Sequence, residues 1–144
     1  MKSPIKNWEI SPLRNVCIEI IDCINKTAPS VEFETPYKMI RTTNVKKGRI
    51  NLDEVRYVDE QTYLKWTRRS KLNKNDVILT REAPLGEVGL LRVEDNVFLG
   101  QRTMVYRANK NKLSQMFLLK STEFSVKILC LLIVLQYPFS AESV

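Results

Sequence analysis

Residues 75–89 read NDVILTREAPLGEVG. Val77, Ile78 and Leu79 form an apolar run, Ala83-Pro84-Leu85-Gly86 supplies turn residues, and Val88 reopens an apolar stretch. Short β-rich runs bounded by Pro and Gly read as two strands joined by a tight loop. The predicted strands are Asp76–Arg81 and Val88–Val93, with the turn at 82–87. An Arg81-Glu82 pair stands at the mouth of the loop. Upstream of it lie Lys65, Arg68, Arg69, Lys71 and Lys74, with Asp76 as the lone acid between Lys65 and Arg81.

The same texture continues on both sides. Downstream, Val97–Leu99 and Thr103–Arg107 read as further strands, with a turn at 94–96. Upstream, Tyr37–Arg41, Gly48–Asn51 and Val55–Val58 read as short strands. Asp59 is placed to cap a short helix over Glu60–Thr67, with Tyr63, Leu64 and Trp66 near the core. Asn25 to Pro36 reads as a loop. At the N-terminal end, Ser11-Pro12 has the form of a helix start. Leu13, Val16, Cys17, Ile20, Ile21 and Ile24 follow at helical spacing, so a helix over roughly 13–24 is expected. A last helix is predicted from Leu113 to about Leu129. The expected fold is one α+β domain: an N-terminal helix, a twisted and mostly antiparallel β-rich middle, and a C-terminal helix.

The chain has 144 residues, 44% of them hydrophobic and 27% charged, which suits a globular domain. Its domain is drawn over 1–127, with 128–144 set apart as an apolar tail. The run ILCLLIVL at 128–135 is too short to cross a bilayer, which needs about 20 residues. Its burial would complete a core, and its exposure would demand a partner. Three cysteines (Cys17, Cys23 and Cys130) without a Cys-x-x-Cys pair speak for small core side chains rather than a disulfide framework or a zinc site. The N-terminus has no apolar signal region, so a cytoplasmic location is expected.

The chemistry that is missing narrows the function. The chain has no histidine, so neither a Ser-His-Asp triad nor a Cys-His pair can be built. Walker and Gly-x-Gly-x-x-Gly loops are missing, and Thr35-Pro36-Tyr37 only partly echoes an amino-methyltransferase motif. The carboxylate pairs Asp53-Glu54 and Asp59-Glu60 fall at turns and caps. A non-catalytic protein with no cofactor and no metal is expected.

The distribution of charge is the positive signal. There are 23 Lys and Arg against 16 Asp and Glu, a formal net charge of +7. Two basic clusters stand out: Lys65, Arg68, Arg69 and Lys71, and Lys46, Lys47 and Arg49 around Gly48. Such clusters suit phosphates, whose neutralisation releases condensed counterions. Reading base edges takes Arg, Asn or Gln projected on loops. Arg41, Asn44, Arg81, Gln101 and Arg102 are the candidates for that task. A plain solvated basic face is the bland alternative for the clusters, core packing is that for Trp66, and loop-shaping salt bridges are that for Arg81-Glu82.

The order of these pieces resembles the target recognition domain of a type I restriction-modification specificity subunit. NWEISPLRNVCIEI, at 7–20, is similar to the opening Trp-x-x-x-x-Leu segment of that family. The stretch from IRTTNVKKGRI through RYVDEQTYLKW to ILTREAPLGEVGLL is similar to its middle, and LGQRTMVYRA, at 99–108, to its Leu-Gly-Gln-Arg strand. The resemblance covers residues 8–108. It implies binding of double-stranded DNA on behalf of a methyltransferase subunit and a restriction subunit, with no catalysis by the chain itself. Loops 41–49, 65–71, 81–87 and 100–102 would form the DNA face. The family's long spacer helices have no counterpart here, and 128–144 matches none of its pattern, as a truncated or frameshifted copy would. The alternative function is a protein-protein module that pairs with a second specificity chain and does not bind DNA.

Overall fold

A computed structural model describes the backbone of residues 11–136 and the side chains of residues 11–126. The Trp8 segment and positions 137–144 therefore lie outside the described residues, as do the side chains of the 128–135 run.

Among the described residues, nine strands form two sheets. They are β1 (Cys17–Asp22), β2 (Tyr37–Ile40), β3 (Val45–Lys46), β4 (Gly48–Ile50), β5 (Arg56–Tyr57), β6 (Val77–Thr80), β7 (Val88–Leu90), β8 (Asn96–Leu99) and β9 (Thr103–Ala108). The larger sheet has the order β1-β9-β6-β7-β4-β3, and the smaller one β5-β2-β8. Pairing is antiparallel except between β4 and β7 and between β2 and β8. Among the described residues, α-helices α1 (Leu13–Val16), α2 (Glu60–Trp66) and α3 (Gln115–Gln136) and a short 3₁₀ turn at Thr42–Asn44 accompany the sheets. The α+β class and the mostly antiparallel middle agree with the sequence reading. The backbone of α3 continues well past Leu129.

Adjacent residues on the central strands serve different layers. Ile78 of β6 and Val105 of β9 join Ile40, Val97 and Leu99 of the smaller sheet in one buried cluster, which glues sheet to sheet. Val77, one residue earlier, belongs to a second cluster with Val88, Leu90, Leu118 and Leu119, where α3 covers the larger sheet. Met39 and Phe98 face the other way, onto Tyr63 of α2. The layers thus run α3, larger sheet, smaller sheet, α2. A strand buried on both faces has no polar side to show, which is why VIL at 77–79 reads as an unbroken apolar run.

The N-terminal helix is the main correction. Only Leu13–Val16 is helical; Cys17–Asp22 is a strand. Ser11 is not the cap: Pro12 holds that position, with no side-chain cap bond. The same letters satisfy period 2, since Cys17, Glu19 and Ile21 are half-buried while Ile18, Ile20 and Asp22 are exposed. Backbone pairing with β9, from Cys17↔Ala108 to Asp22↔Met104, selects that reading. Three isoleucines in five residues also favour a strand.

The short helix α2 starts as expected. Asp59 accepts a 2.7 Å hydrogen bond from the Thr62 backbone N–H, and bonds from Thr62 hold the Asp59 carboxyl below the usual carboxylate range. Tyr63 is buried, but Leu64, also expected near the core, is exposed. A lowered folded-state pKa means the cap stabilises above the ordinary carboxylate value of about 3.9. That contribution fades as pH falls through the lower folded value. Asp59→Ala is therefore expected to reduce Tm at neutral pH. The gap to the parent chain should close in acid, as followed by thermal melts across a pH series.

Candidate nucleic-acid interface

The loop between β6 and β7, residues 81–87, is built from inside by Thr80. This side chain is fully buried. Its hydroxyl donates to the Pro84 carbonyl at 2.6 Å and accepts from the Glu87 N–H at 2.9 Å. Its backbone carbonyl accepts from Gly86 N–H at 2.8 Å, and Gly86 sits at φ +84°. Thr80 therefore closes the turn, leaving the Arg81 and Glu82 side chains to reach outward.

They reach different partners. Arg81 pairs with Asp22 at 3.1 Å, and Glu82 with Arg102 at 3.5 Å. The loop also collects two neighbouring segments. Thr42 donates its hydroxyl to the Ala83 carbonyl at 3.0 Å, and the Lys47 N–H donates to the Glu87 carboxylate at 3.0 Å. On its other side the Arg81 N–H donates to the Arg102 carbonyl at 2.8 Å. Three of the four predicted loops, 41–49, 81–87 and 100–102, thus form one connected surface.

The β3–β4 hairpin presents the first basic cluster. Lys46 pairs with Arg49 across a two-residue loop, Lys47-Gly48, whose φ angles of +50° and +78° match the type I′ turn suited to right-twisted strands. Lys46, Lys47 and Arg49 are all exposed. Next to the hairpin, Arg41 and Arg102 line a cavity of about 190 Å³ together with Gln101 and Arg56. Arg41 makes one long bond, 3.4 Å, to the Glu54 carbonyl, and its Nε is buried without an acceptor.

Asn44 is placed differently from the sequence reading. It is buried, accepts from the Arg41 N–H at 2.9 Å and donates to the Glu54 carbonyl at 3.2 Å. Both ends of its amide are occupied in holding the turn at Thr42–Asn44. Arg81 is half-buried by its Asp22 pair and by Cys23 Sγ at 3.8 Å, and its own Nε also has no acceptor.

The 65–71 cluster forms a separate group at the end of α2. Lys65, Arg68, Arg69 and Lys71 are exposed. Lys65 lies over the Trp66 ring at 5.5 Å and Lys71 over Tyr63 at 5.8 Å. Lys71 borders a groove with Lys74, Lys110, Glu94 and Asp95. Arg69 instead lines a small cleft with Asp22 and Cys23, near the Arg81 partner. Trp66 packs against the core on α2, in line with the packing alternative.

Sequence reasoning missed Arg56, Thr27 and Thr42. Arg56 lies on a two-residue strand and enters the cavity because β5 pairs with β2. The only local signal was an arginine alternating with Val55 and Tyr57. Asp76, the lone acid of the basic run, is also explained. Its carboxylate is gripped by Arg107, with both bonds at 2.8 Å. Among the described residues, no group of three or more Cys, Asp or Glu is arranged to hold a metal ion. None of the described helices is long and apolar enough to cross a membrane.

Comparison with known proteins gives a partial likeness. Over 75 residues, 52% of this chain, it is 27% identical to the Type I restriction enzyme EcoBI specificity subunit of Escherichia coli. The matched stretch spans 16% of that protein's length. No protein-family model matches the chain.

Proposed function

We propose that this chain is a non-catalytic, double-stranded DNA target recognition domain of a type I restriction-modification specificity subunit. The partial likeness to a specificity subunit supports the family, and the connected basic surface around loop 81–87 carries the DNA role. On that surface Lys46, Lys47, Arg49, Arg41 and Arg102 converge, with Glu82 and Glu87 among them. Exposed Lys and Arg hold phosphates and fix register, with Gln101 beside Arg41 and Arg102, while Arg81 is the candidate for reading a base edge. Lys65, Arg68, Arg69 and Lys71 extend the phosphate contacts on a second patch. Asn44 serves by shaping the turn that carries Arg41. The recognition body is assigned to 1–127, with 128–144 set apart as an apolar tail. Methyltransferase and restriction subunits in the cytoplasm would act where this domain binds.

The test is the salt dependence of binding to a random-sequence duplex. Each phosphate contact removed should flatten the log-log slope by about 0.9. Lys46→Ala/Arg49→Ala and Arg68→Ala/Arg69→Ala are each expected to flatten it by about two contacts' worth. No measurable binding at low salt would overturn the DNA reading. It would favour instead a module that pairs with a second specificity chain, for which exposed Met116 and Phe124 on α3 offer apolar surface.

A further inference from the structure

The cavity lined by Arg41, Arg56 and Arg102 has a chemical bias beyond its charge. Its lining contains no carboxylate. At its edge Glu82 meets Arg102 at 3.5 Å, with both side chains more than half exposed. Gln101 contributes a donor: its Oε1 already accepts the Thr27 hydroxyl at 2.8 Å, so the amide NH₂ is what it can still offer. Guanidinium groups donate and never accept. Thr27, Thr42 and Met39 complete the lining, so every charge it presents is positive.

Two further observations indicate an incomplete site. Arg41 is under-satisfied as it stands, with one long bond and a buried Nε that lacks an acceptor; buried polar groups without partners are uncommon. Arg102 adopts φ +63°, a left-handed conformation that a non-glycine residue rarely takes. Strain of this kind concentrates at ligand clamps. Here it turns Arg102 into the cavity rim while its carbonyl is held by the Arg81 N–H at 2.8 Å.

We propose that this cavity is a phosphoryl-anion site, in which Arg41, Arg56, Arg102 and the Gln101 amide grip one phosphate group. A volume of about 190 Å³, the share of about six waters, admits a tetrahedral anion with its residual water. A nucleobase fits the lining less well. The acceptors open to an adenine or cytosine amino group are the Thr27 and Thr42 hydroxyls and the second lone pair of Gln101 Oε1, all neutral. A nucleobase edge is neutral and offsets none of the positive charge, whereas a phosphate brings at least one negative charge. Guanidiniums pair with phosphate oxygens through charge-assisted and often bidentate bonds. That the phosphate is a DNA phosphodiester rests on the recognition-domain reading; a free phosphate or phosphomonoester has the same chemistry.

The experiment titrates inorganic phosphate into the full chain at constant ionic strength and records Tm. It is paired with the salt slope for duplex binding. Wild type is expected to gain Tm with phosphate by mass action. Arg56→Gln and Arg102→Gly are expected to lose that gain. Glycine suits φ +63°, so the second variant keeps the backbone and separates lost binding from lost folding. If the same variants also flatten the duplex slope by about one contact, the phosphate is that of DNA. A phosphate effect with an unchanged slope, or with no duplex binding, keeps the site but assigns it to a free phosphate or phosphomonoester. If phosphate raises Tm no more than chloride, or raises it equally in both variants, the proposal is overturned. The Lys46/Arg49 slope still judges the DNA reading separately in that case.

Discussion

Replacing Arg107 by alanine is expected to lower the unfolding free energy by about 3–5 kcal/mol, the usual cost of stranding a buried charge. The charge left behind is Asp76, whose side chain is 1% exposed, beside an Arg107 side chain that is 16% exposed. The guanidinium grips Asp76 through two 2.8 Å bonds, reaches Glu19 of β1, and donates to the Lys71 carbonyl at 2.8 Å. One side chain on β9 thereby ties down β1, the 71–76 segment and the entry to β6. Its bond to Asp76, set against burial, raises the Arg107 pKa above its ordinary value. A raised cation pKa stabilises at every pH below the unfolded value and fades only in strong alkali. The Arg107 contribution should therefore not decline on the alkaline side of the working range. Urea unfolding followed by tryptophan fluorescence measures the loss. A value near 1 kcal/mol or less, as for an exposed ion pair, would mean that water reaches Asp76 and the network is not closed. The double variant Asp76→Leu/Arg107→Leu should recover part of the loss, because it removes both charges. Recovery should stop short of full, since Asp76 also accepts the Asn73 N–H at 2.8 Å.

This network also shows what a linear reading can and cannot reach. Strands β2, β6, β8 and β9 and helix α2 were legible because their apolar runs, Gly/Pro punctuation and the Asp59 cap are local signals. The segment 17–22 was not, because its letters fit both helical and strand periods. The choice depended on β9, more than 80 residues away, and on Glu19 turning inward to meet Arg107. For the candidate site, exposed clusters such as Lys46-Lys47-Gly48-Arg49 announce themselves by charge. Asn44 and Arg56 do not: one is an amide whose partners are backbone groups, and the other is an arginine delivered by a two-residue strand. Whether a polar side chain braces a turn or faces a ligand is decided by neighbours distant in sequence.

Gly89→Ala is expected to cost about 3 kcal/mol, the upper part of the range for forcing volume into a packed interior. It should also disturb the basic hairpin. Gly89 lies on β7, paired in parallel with β4 so that Gly48 and Gly89 are register partners. A Cβ at position 89 would sit 2.6 Å from the Arg49 carbonyl oxygen and 2.8 Å from Ile50 Cγ1. The first of these is backbone and cannot rotate away, so β4 must move or the pairing must open. Arg49 and Lys46 are carried on that strand and its hairpin partner. The Lys47 N–H also bonds to Glu87, one residue before β7. A shift of β4 therefore reaches the same side chains that are assigned to phosphates. Two readouts are expected to change together: the urea midpoint falls, and at a temperature where the variant is still folded its duplex affinity is weaker. A variant that loses stability but binds duplex as tightly as the parent would dissociate hairpin position from DNA contact. In that case the phosphate role of Lys46 and Arg49 would fall, and the second patch at Lys65, Arg68, Arg69 and Lys71 would have to carry the electrostatic binding.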